Sequence, residues 1–137
     1  MVFFYNQFME NIAIVLKSPS KKISYRKLGV GDRKIAFFHG FPGSSGQIHI
    51  FEDFADQFNI EVICVDRPGY NQSEQNSTPQ SDQHNEDLNY IIKNLGWTQF
   101  ELMTVSGGTP FLFSYLKNHK KKNINNVCIC LLYTSPS

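Results

Sequence analysis

Short apolar runs alternate with helical patterns along this chain, and that alternation is what most limits its fold. Five runs have strand character: 22–28, 34–38, 61–65, 100–105 and 124–129. Three segments space their apolar residues as amphipathic helices do: 45–58, 82–95 and 110–118. Strands that alternate with helices usually form parallel sheets, so we predict an α/β fold, a three-layer α/β/α sandwich with a mostly parallel sheet. The glycine-rich turn at 29–32 predicts that the first two strands pair as an antiparallel hairpin that leads the sheet.

Length and composition fit one domain. The chain has 137 residues, of which 41% are hydrophobic and 18% charged. We predict an N-terminal segment at 1–21, the domain itself over 22–129, and a tail at 130–137. The tail, Cys-Leu-Leu-Tyr-Thr-Ser-Pro-Ser, resembles a translated sequencing adapter, and we expect it to be non-native. A native strand followed by a Ser/Pro turn is the alternative.

The charge balance and the cysteines bear on partners and location. Lys and Arg number 13 against 12 Asp and Glu, a net charge of +1, which disfavours charge-driven binding to nucleic acid or to a membrane surface. We find no secretory leader, and no run of the roughly 18 apolar residues that a membrane-spanning helix needs. Cys64, Cys128 and Cys130 lie in apolar runs and are odd in number, which indicates reduced thiols and predicts a cytoplasmic protein. The oligomeric state stays open.

Three loops carry the candidate chemistry. They are 39–45, which follows the second strand, 66–73, which follows the third, and 104–108 at the end of the fourth. Ligands of open α/β sheets bind outside the carboxyl ends of the strands, so we expect these loops to meet at one edge.

With these loops the sequence resembles the α/β-hydrolase family, in the branch that uses a serine nucleophile. The resemblance covers about 22–129 and rests on His39-Gly40-Phe41-Pro42, on Asp66-Arg67-Pro68-Gly69 and on the elbow around Ser106. It implies a truncated α/β-hydrolase core in which Ser106 is the catalytic nucleophile. It further implies an oxyanion hole made by the backbone N–H groups of Phe41 and Gly107, with no metal, no cofactor and a small-molecule substrate.

The serine loop fits a nucleophile elbow with one departure. Such an elbow is a tight turn between strand and helix, and it needs small residues two positions either side of the serine. Gly108 meets this need, whereas Thr104 stands where the family usually has glycine, which predicts a shifted elbow or a small hollow facing the threonine. Pro110 suits the first turn of the following helix.

Five further residues are predicted to shape the loops rather than to react: His39, Gly40, Asp66, Gly69 and Gly108. The family pattern makes His39 a brace of its loop and not the general base. Asn71 stands where a second glycine is usual and tolerates positive φ. We expect Phe41 to wall an apolar acyl pocket, and His49, His84 and His119 to be solvated. A phosphate cradle is excluded because Gly46 is followed by Gln-Ile instead of Lys-Ser or Lys-Thr.

These patterns favour a serine hydrolase of small esters, thioesters or amides that acts through an acyl-enzyme on Ser106. Family members place the triad acid and histidine far downstream of the elbow, so we expect residues 1–137 alone to be inactive. The alternative is a non-catalytic protein of the same fold that binds a ligand or partner. Dehalogenases and epoxide hydrolases share the loop type at His39-Gly40 but use an aspartate at the elbow, and Ser106 argues against them.

Overall fold

One mixed sheet of seven strands organises the computed structural model, which describes residues 2–5, 12–18, 21–76, 79–119 and 121–130. In chain order the strands are β1 (Val2–Tyr5), β2 (Ile12–Ser18), β3 (Lys21–Leu28), β4 (Arg33–Phe38), β5 (Ile60–Val65), β6 (Phe100–Val105) and β7 (Ile124–Cys130). Their order across the sheet is β1-β2-β3-β5-β4-β6-β7. Four adjacent strands run parallel to one another: β5, β4, β6 and β7. The other three, β1, β2 and β3, pair antiparallel, and β3 also pairs antiparallel with β5. The predicted α/β sandwich with an antiparallel start is confirmed.

The hairpin predicted between the runs 22–28 and 34–38 is wrong. Strand β3 does not pair with β4, because β5 lies between them, antiparallel to β3 and parallel to β4. Every residue of β5 is buried, so this strand takes an interior position in the sheet. Gly29 and Gly31 let the chain between β3 and β4 pass close to the backbone at the start of β5. A Cβ on Gly29 would lie 2.3 Å from the Ile60 carbonyl oxygen, and one on Gly31 would lie 2.2 Å from the Asn59 carbonyl group. The glycine-rich turn therefore carries the chain past the start of β5.

Side chains of the central strands alternate between two cores, one on each face of the sheet. In β4, Ala36 and Phe38 face the core that also holds residues of helices α1 (Gln80–Asn94) and α2 (Thr109–Asn118). Ile35 and Phe37 face the opposite core with Ile48 and Phe51. This period of two buries both faces of the strand and gives the three layers.

Both α-helices lie close to their predicted bounds, and local sequence explains their ends. Helix α1 stops before Gly96, whose φ of +69° allows its N–H to bond the Lys93 carbonyl at 3.1 Å. Helix α2 carries Pro110 in its first turn, where the missing N–H costs no hydrogen bond.

The predicted helix over 45–58 is wrong in type. Ser45–Phe51 is a 3-10 helix, and turns rather than an α-helix follow it to Asn59. The buried residues Ser45, Ile48 and Phe51 are three apart, which is the repeat of a 3-10 helix. Phe54 and Phe58, which the helical stripe included, are about half exposed.

The sheet extends further toward the N-terminus than the sequence predicts, since β1 and β2 lie within the segment 1–21. Cys130, the first residue of the predicted tail, ends β7, and 131–137 lie outside the described residues. No helix in the described part of the chain is long and apolar enough to cross a membrane.

Candidate active site

Ser106 lies at an abrupt turn between a strand and a helix. Strand β6 ends at Val105, a single 3-10 turn covers Ser106–Gly108, and α2 begins at Thr109. Ser106 has φ of +43°, in the left-handed region that side chains other than glycine rarely adopt. Such a conformation costs on the order of 1 kcal/mol or more, so the surrounding structure must enforce it.

Close packing beneath the turn explains the residues on either side of Ser106. A Cβ on Gly108 would lie 2.5 Å from the Phe38 carbonyl oxygen and 2.7 Å from that of His39, so no side chain fits. Thr104 is fully buried, and its hydroxyl donates to the same Phe38 oxygen at 3.4 Å. The threonine thus occupies the hollow left by Gly108.

The loop after β4 reaches the elbow through Phe41. A Cβ on Gly107 would lie 2.9 Å from the Phe41 backbone nitrogen and 2.8 Å from its Cβ. The backbone of Phe41 therefore lies directly against Gly107, next to Ser106. Phe41 is 70% exposed among the described residues, and its part in walling an acyl pocket stays a prediction.

Gln47 holds the same loop from the 3-10 helix. Its side-chain oxygen accepts the Gly40 N–H at 2.6 Å, and its amide nitrogen donates to the Pro42 carbonyl at 3.3 Å. A Cβ on Gly43 would meet this amide at 2.1 Å, so the glycine leaves room for Gln47.

Arg67 binds the loop from the opposite side. Its guanidinium donates to two consecutive carbonyls, those of His39 at 2.8 Å and Gly40 at 2.9 Å. The side chain is buried and lies against the rings of Tyr70 and Phe111, 5.1 and 4.6 Å from their centroids.

His39 is buried with both ring nitrogens engaged. Nε2 accepts the backbone N–H of Arg67 at 3.2 Å, and Nδ1 donates to the Gly40 carbonyl at 3.1 Å, which fixes the neutral ring. Burial, together with the Arg67 charge, lowers the pKa of His39 to about 4. A base needs a free nitrogen within reach of the proton it takes, so this geometry suits a brace rather than a general base.

Asp66 connects four parts of the chain at the end of β5. Its carboxylate accepts from the Ser24 hydroxyl at 2.8 Å, from the Ser45 N–H and hydroxyl at 2.8 and 3.0 Å, and from the Asn71 amide at 2.9 Å. Burial raises the pKa of Asp66, while these donors act in the opposite direction. Asn71 and Gly69 both have positive φ, +46° and +87°, as their places in the loop predict.

One of the three histidines predicted to be solvated is buried. His84, on α1, has its ring 5.4 Å from that of Phe38 and 5.6 Å from that of Phe111. Its Nδ1 has no hydrogen-bond partner among the residues that the structure describes, and burial lowers the pKa of His84 to about 3. His49 and His119 are partly exposed.

The structure brings the three predicted loops together at one sheet edge. Ser106, Gly107 and Phe41 are neighbours, whereas the contacts of Asp66 are with groups that hold the loops, from Ser24 and Ser45. Sequence reasoning assigned no role to Gln47 or Arg67. The sequence signals were the place of Arg67 within the loop 66–73 and the place of Gln47 just after the loop 39–45.

Solved structures similar to this chain share its fold. They include an esterase from Exiguobacterium antarcticum, with a TM-score of 0.71 and 22% identity over 88% of this chain and 44% of that one. A bromoperoxidase from Bacillus anthracis has a TM-score of 0.72 and 22% identity over 87% of this chain and 44% of that one. An epoxide hydrolase mutant from Vigna radiata has a TM-score of 0.70 and 22% identity over 93% of this chain and 42% of that one. The chain thus spans less than half the length of these proteins.

No curated protein sequence matches this one. The family model described as alpha/beta hydrolase fold matches residues 35–132, which is more than two-thirds of the chain and contains all three loops. The chain belongs to the α/β-hydrolase fold family.

Proposed function

We propose that the protein is a serine hydrolase in which Ser106 attacks the carbonyl of a small ester, thioester or amide. The observation that carries the proposal is the left-handed backbone of Ser106 at the junction of β6 and α2. That conformation is the strained strand-to-helix turn from which an α/β-hydrolase nucleophile projects. Nothing in the packing of Thr104 and Gly108 requires a serine at this position, so we assign the hydroxyl a chemical role.

The backbone N–H groups of Phe41 and Gly107 are our candidates for the oxyanion hole. These two N–H groups belong to the loop after β4 and to the turn after β6, whose backbones lie against each other at Phe41 and Gly107. In the reaction, Ser106 Oγ bonds to the substrate carbonyl carbon and the carbonyl oxygen becomes negative, where each such donor is worth about 3 kcal/mol. Collapse of this intermediate expels the alcohol, thiol or amine and leaves an acyl-enzyme, which water then hydrolyses.

The general base and its acid partner are assigned to residues beyond 137. Burial lowers the pKa values of His39 and His84, and both ring nitrogens of His39 are already engaged in hydrogen bonds. His119 follows the C-terminal end of α2, about 15 Å along the helix from the elbow by the rise per residue. A base supplied by the rest of a longer protein agrees with the length of the related structures.

A fluorophosphonate probe tests this proposal, because it reacts quickly only with an activated serine. We expect the full-length protein to be labelled on the peptide that contains Ser106, as located by mass spectrometry. The variant Ser106→Ala should lose the label, while Ser81→Ala, a serine at the start of α1, should keep it.

Two results would contradict the proposal. A full-length protein that is folded but unlabelled would favour the non-catalytic binding protein instead, and a label that survives in Ser106→Ala would place the nucleophile elsewhere. Residues 1–137 alone should label on the order of 10⁶ times more slowly, since loss of a catalytic histidine costs about that much in serine hydrolases.

A further inference from the structure

We infer that Arg67 is a positioning residue that orients the Phe41 N–H toward the oxyanion, an inference that rests on the proposed function. The Gly40 carbonyl and the Phe41 N–H belong to one peptide group, which is planar and trans, so the two groups point in opposite directions. Arg67 Nη2 donates to that carbonyl at 2.9 Å. Holding the oxygen on the Arg67 side therefore turns the N–H away from Arg67.

The nitrogen of that N–H lies beside the elbow. The Phe41 nitrogen lies against Gly107, at 2.9 Å from the position of a Cβ on that residue. The peptide thus has Arg67 on its carbonyl side and the elbow near its nitrogen. His39 Nδ1 donates to the same carbonyl at 3.1 Å, so the oxygen has two donors and one of them is charged.

The guanidinium of Arg67 also fixes the preceding peptide group, the one between His39 and Gly40. Nη1 donates to the His39 carbonyl at 2.8 Å, and the N–H of that same peptide, from Gly40, donates to Gln47 at 2.6 Å. The His39–Gly40 peptide is therefore held at both its carbonyl and its N–H, and the Gly40–Phe41 peptide is held at its carbonyl. A lysine presents one point charge and cannot donate to both carbonyls with the same fixed geometry.

The positive charge of Arg67 is buried among carbonyl groups and aromatic rings. No carboxylate within the described residues forms a salt bridge with it, although the side chain is only 3% exposed. Burying a guanidinium without an acidic partner is costly, and its contacts here are two carbonyls and two aromatic rings. The charge polarises the Gly40–Phe41 peptide, which strengthens its N–H as a donor, and it favours negative charge developing at the substrate oxygen.

The test compares Arg67→Lys with a matched control, Arg33→Lys, in the full-length protein. Arg33 also uses a two-pronged contact, with Glu101 at 2.6 and 2.9 Å, but it lies at the opposite end of β4. Rates are measured with a fluorophosphonate and with p-nitrophenyl acetate, and are divided by the number of active sites from burst titration. This division removes any loss that is due to unfolded protein.

We expect Arg67→Lys to lower the rate per active site about tenfold, less than the 10² to 10³ that follows complete removal of an oxyanion donor. KM should change little, because the lost interaction belongs to the transition state. Affinity for a boronic acid, which forms a tetrahedral adduct on the serine, should fall in parallel. Arg33→Lys should leave all three quantities unchanged.

A second variant covers the case in which Arg67→Lys does not fold. Phe111→Leu removes one of the rings against the guanidinium without removing a hydrogen bond, and we expect a smaller fall in the rate per site. If the wild type labels but neither variant changes the rate per site, the inference about Arg67 is overturned and the proposed function stands. If the wild type does not label, both are overturned.

Discussion

The hydroxyl of Thr104 lies 2.6 Å from the position that a Cβ on Gly108 would occupy. The two residues flank Ser106 two positions before and two positions after it, so the larger one fills the space that the smaller one leaves. The elbow therefore needs one small residue at this contact, and it does not need two.

Gly108→Ala should destabilise the protein by about 1–3 kcal/mol, the range for overpacking a filled core. The added methyl would meet the Phe38 and His39 carbonyl oxygens, which are backbone atoms and cannot rotate away. Urea unfolding measures the loss. Gly46→Ala is the control, since its nearest neighbours would lie 3.5 Å or more from the new Cβ, and a similar loss in both variants would contradict the steric explanation.

Ser106→Gly should be more stable than Ser106→Ala by about 1 kcal/mol, because glycine adopts a φ of +43° without a Cβ penalty. Both variants lack the hydroxyl, so their difference isolates the backbone conformation. Chemical denaturation of the two purified variants measures it.

The same pair of substitutions at Ser114 provides a control of opposite sign. Ser114 lies inside α2, where alanine favours the helix by about 1 kcal/mol over glycine. Both variants there lose the same contact from Asn85. Equal signs at the two positions would mean that Ser106 is not held in a left-handed conformation.

Asp66→Asn should cost about 2–3 kcal/mol of stability, since bonds to a charged acceptor are worth about 1.5–3 kcal/mol each and an amide can replace only part of them. In the variant, the NH₂ group of asparagine takes the place of one carboxylate oxygen and would face donors from Ser24, Ser45 or Asn71. Asp32→Asn is the control, because that exposed carboxylate takes one bond from the described residues, from Asn59 at 3.2 Å. Equal unfolding midpoints for Asp66→Asn and the wild type would contradict the assignment of Asp66 as the connecting residue.

The sequence predicted the elements whose signals are local. Strand β6 ends and helix α2 begins on either side of the turn with Gly107 and Gly108, and both elements lie within one residue of their predicted bounds. Strand pairing is not local: the glycines of 29–32 fit a hairpin turn as well as a crossing past Asn59 and Ile60. Strand β2 begins as a continuous apolar run, which lacks the alternation that identifies a half-buried strand.

The same distinction applies to the site. Ser106 and Gly108 belong to a short motif, so the sequence places them on one turn. Arg67 and Gln47 act on a loop that lies 27 and 7 residues away from them along the chain, through hydrogen bonds that no periodicity encodes. The supporting contacts of the loop therefore require the tertiary structure.

His84 is buried with a pKa of about 3, below its ordinary value of 6.5. Between those values the unfolded chain binds a proton at this residue and the folded chain does not, so stability falls as pH falls, by up to about 1.4 kcal/mol per pH unit. His39, with a pKa of about 4, acts in the same direction. Asp87, whose pKa burial raises to about 6, acts in the opposite direction.

Because these groups oppose one another, the informative quantity is the difference between a variant and the wild type at each pH. His84→Phe keeps a ring between Phe38 and Phe111, removes the titrating group, and loses only a 3.4 Å contact with the Val65 carbonyl. We expect its free energy of unfolding relative to the wild type to rise as pH falls below about 6.5, with a slope of up to about 1.4 kcal/mol per unit. His119→Phe, which removes a partly exposed histidine, is the comparison variant. Urea unfolding at several values between pH 7.5 and roughly 4.5 measures the slopes, and a constant difference between His84→Phe and the wild type would show that His84 is protonated equally in both states.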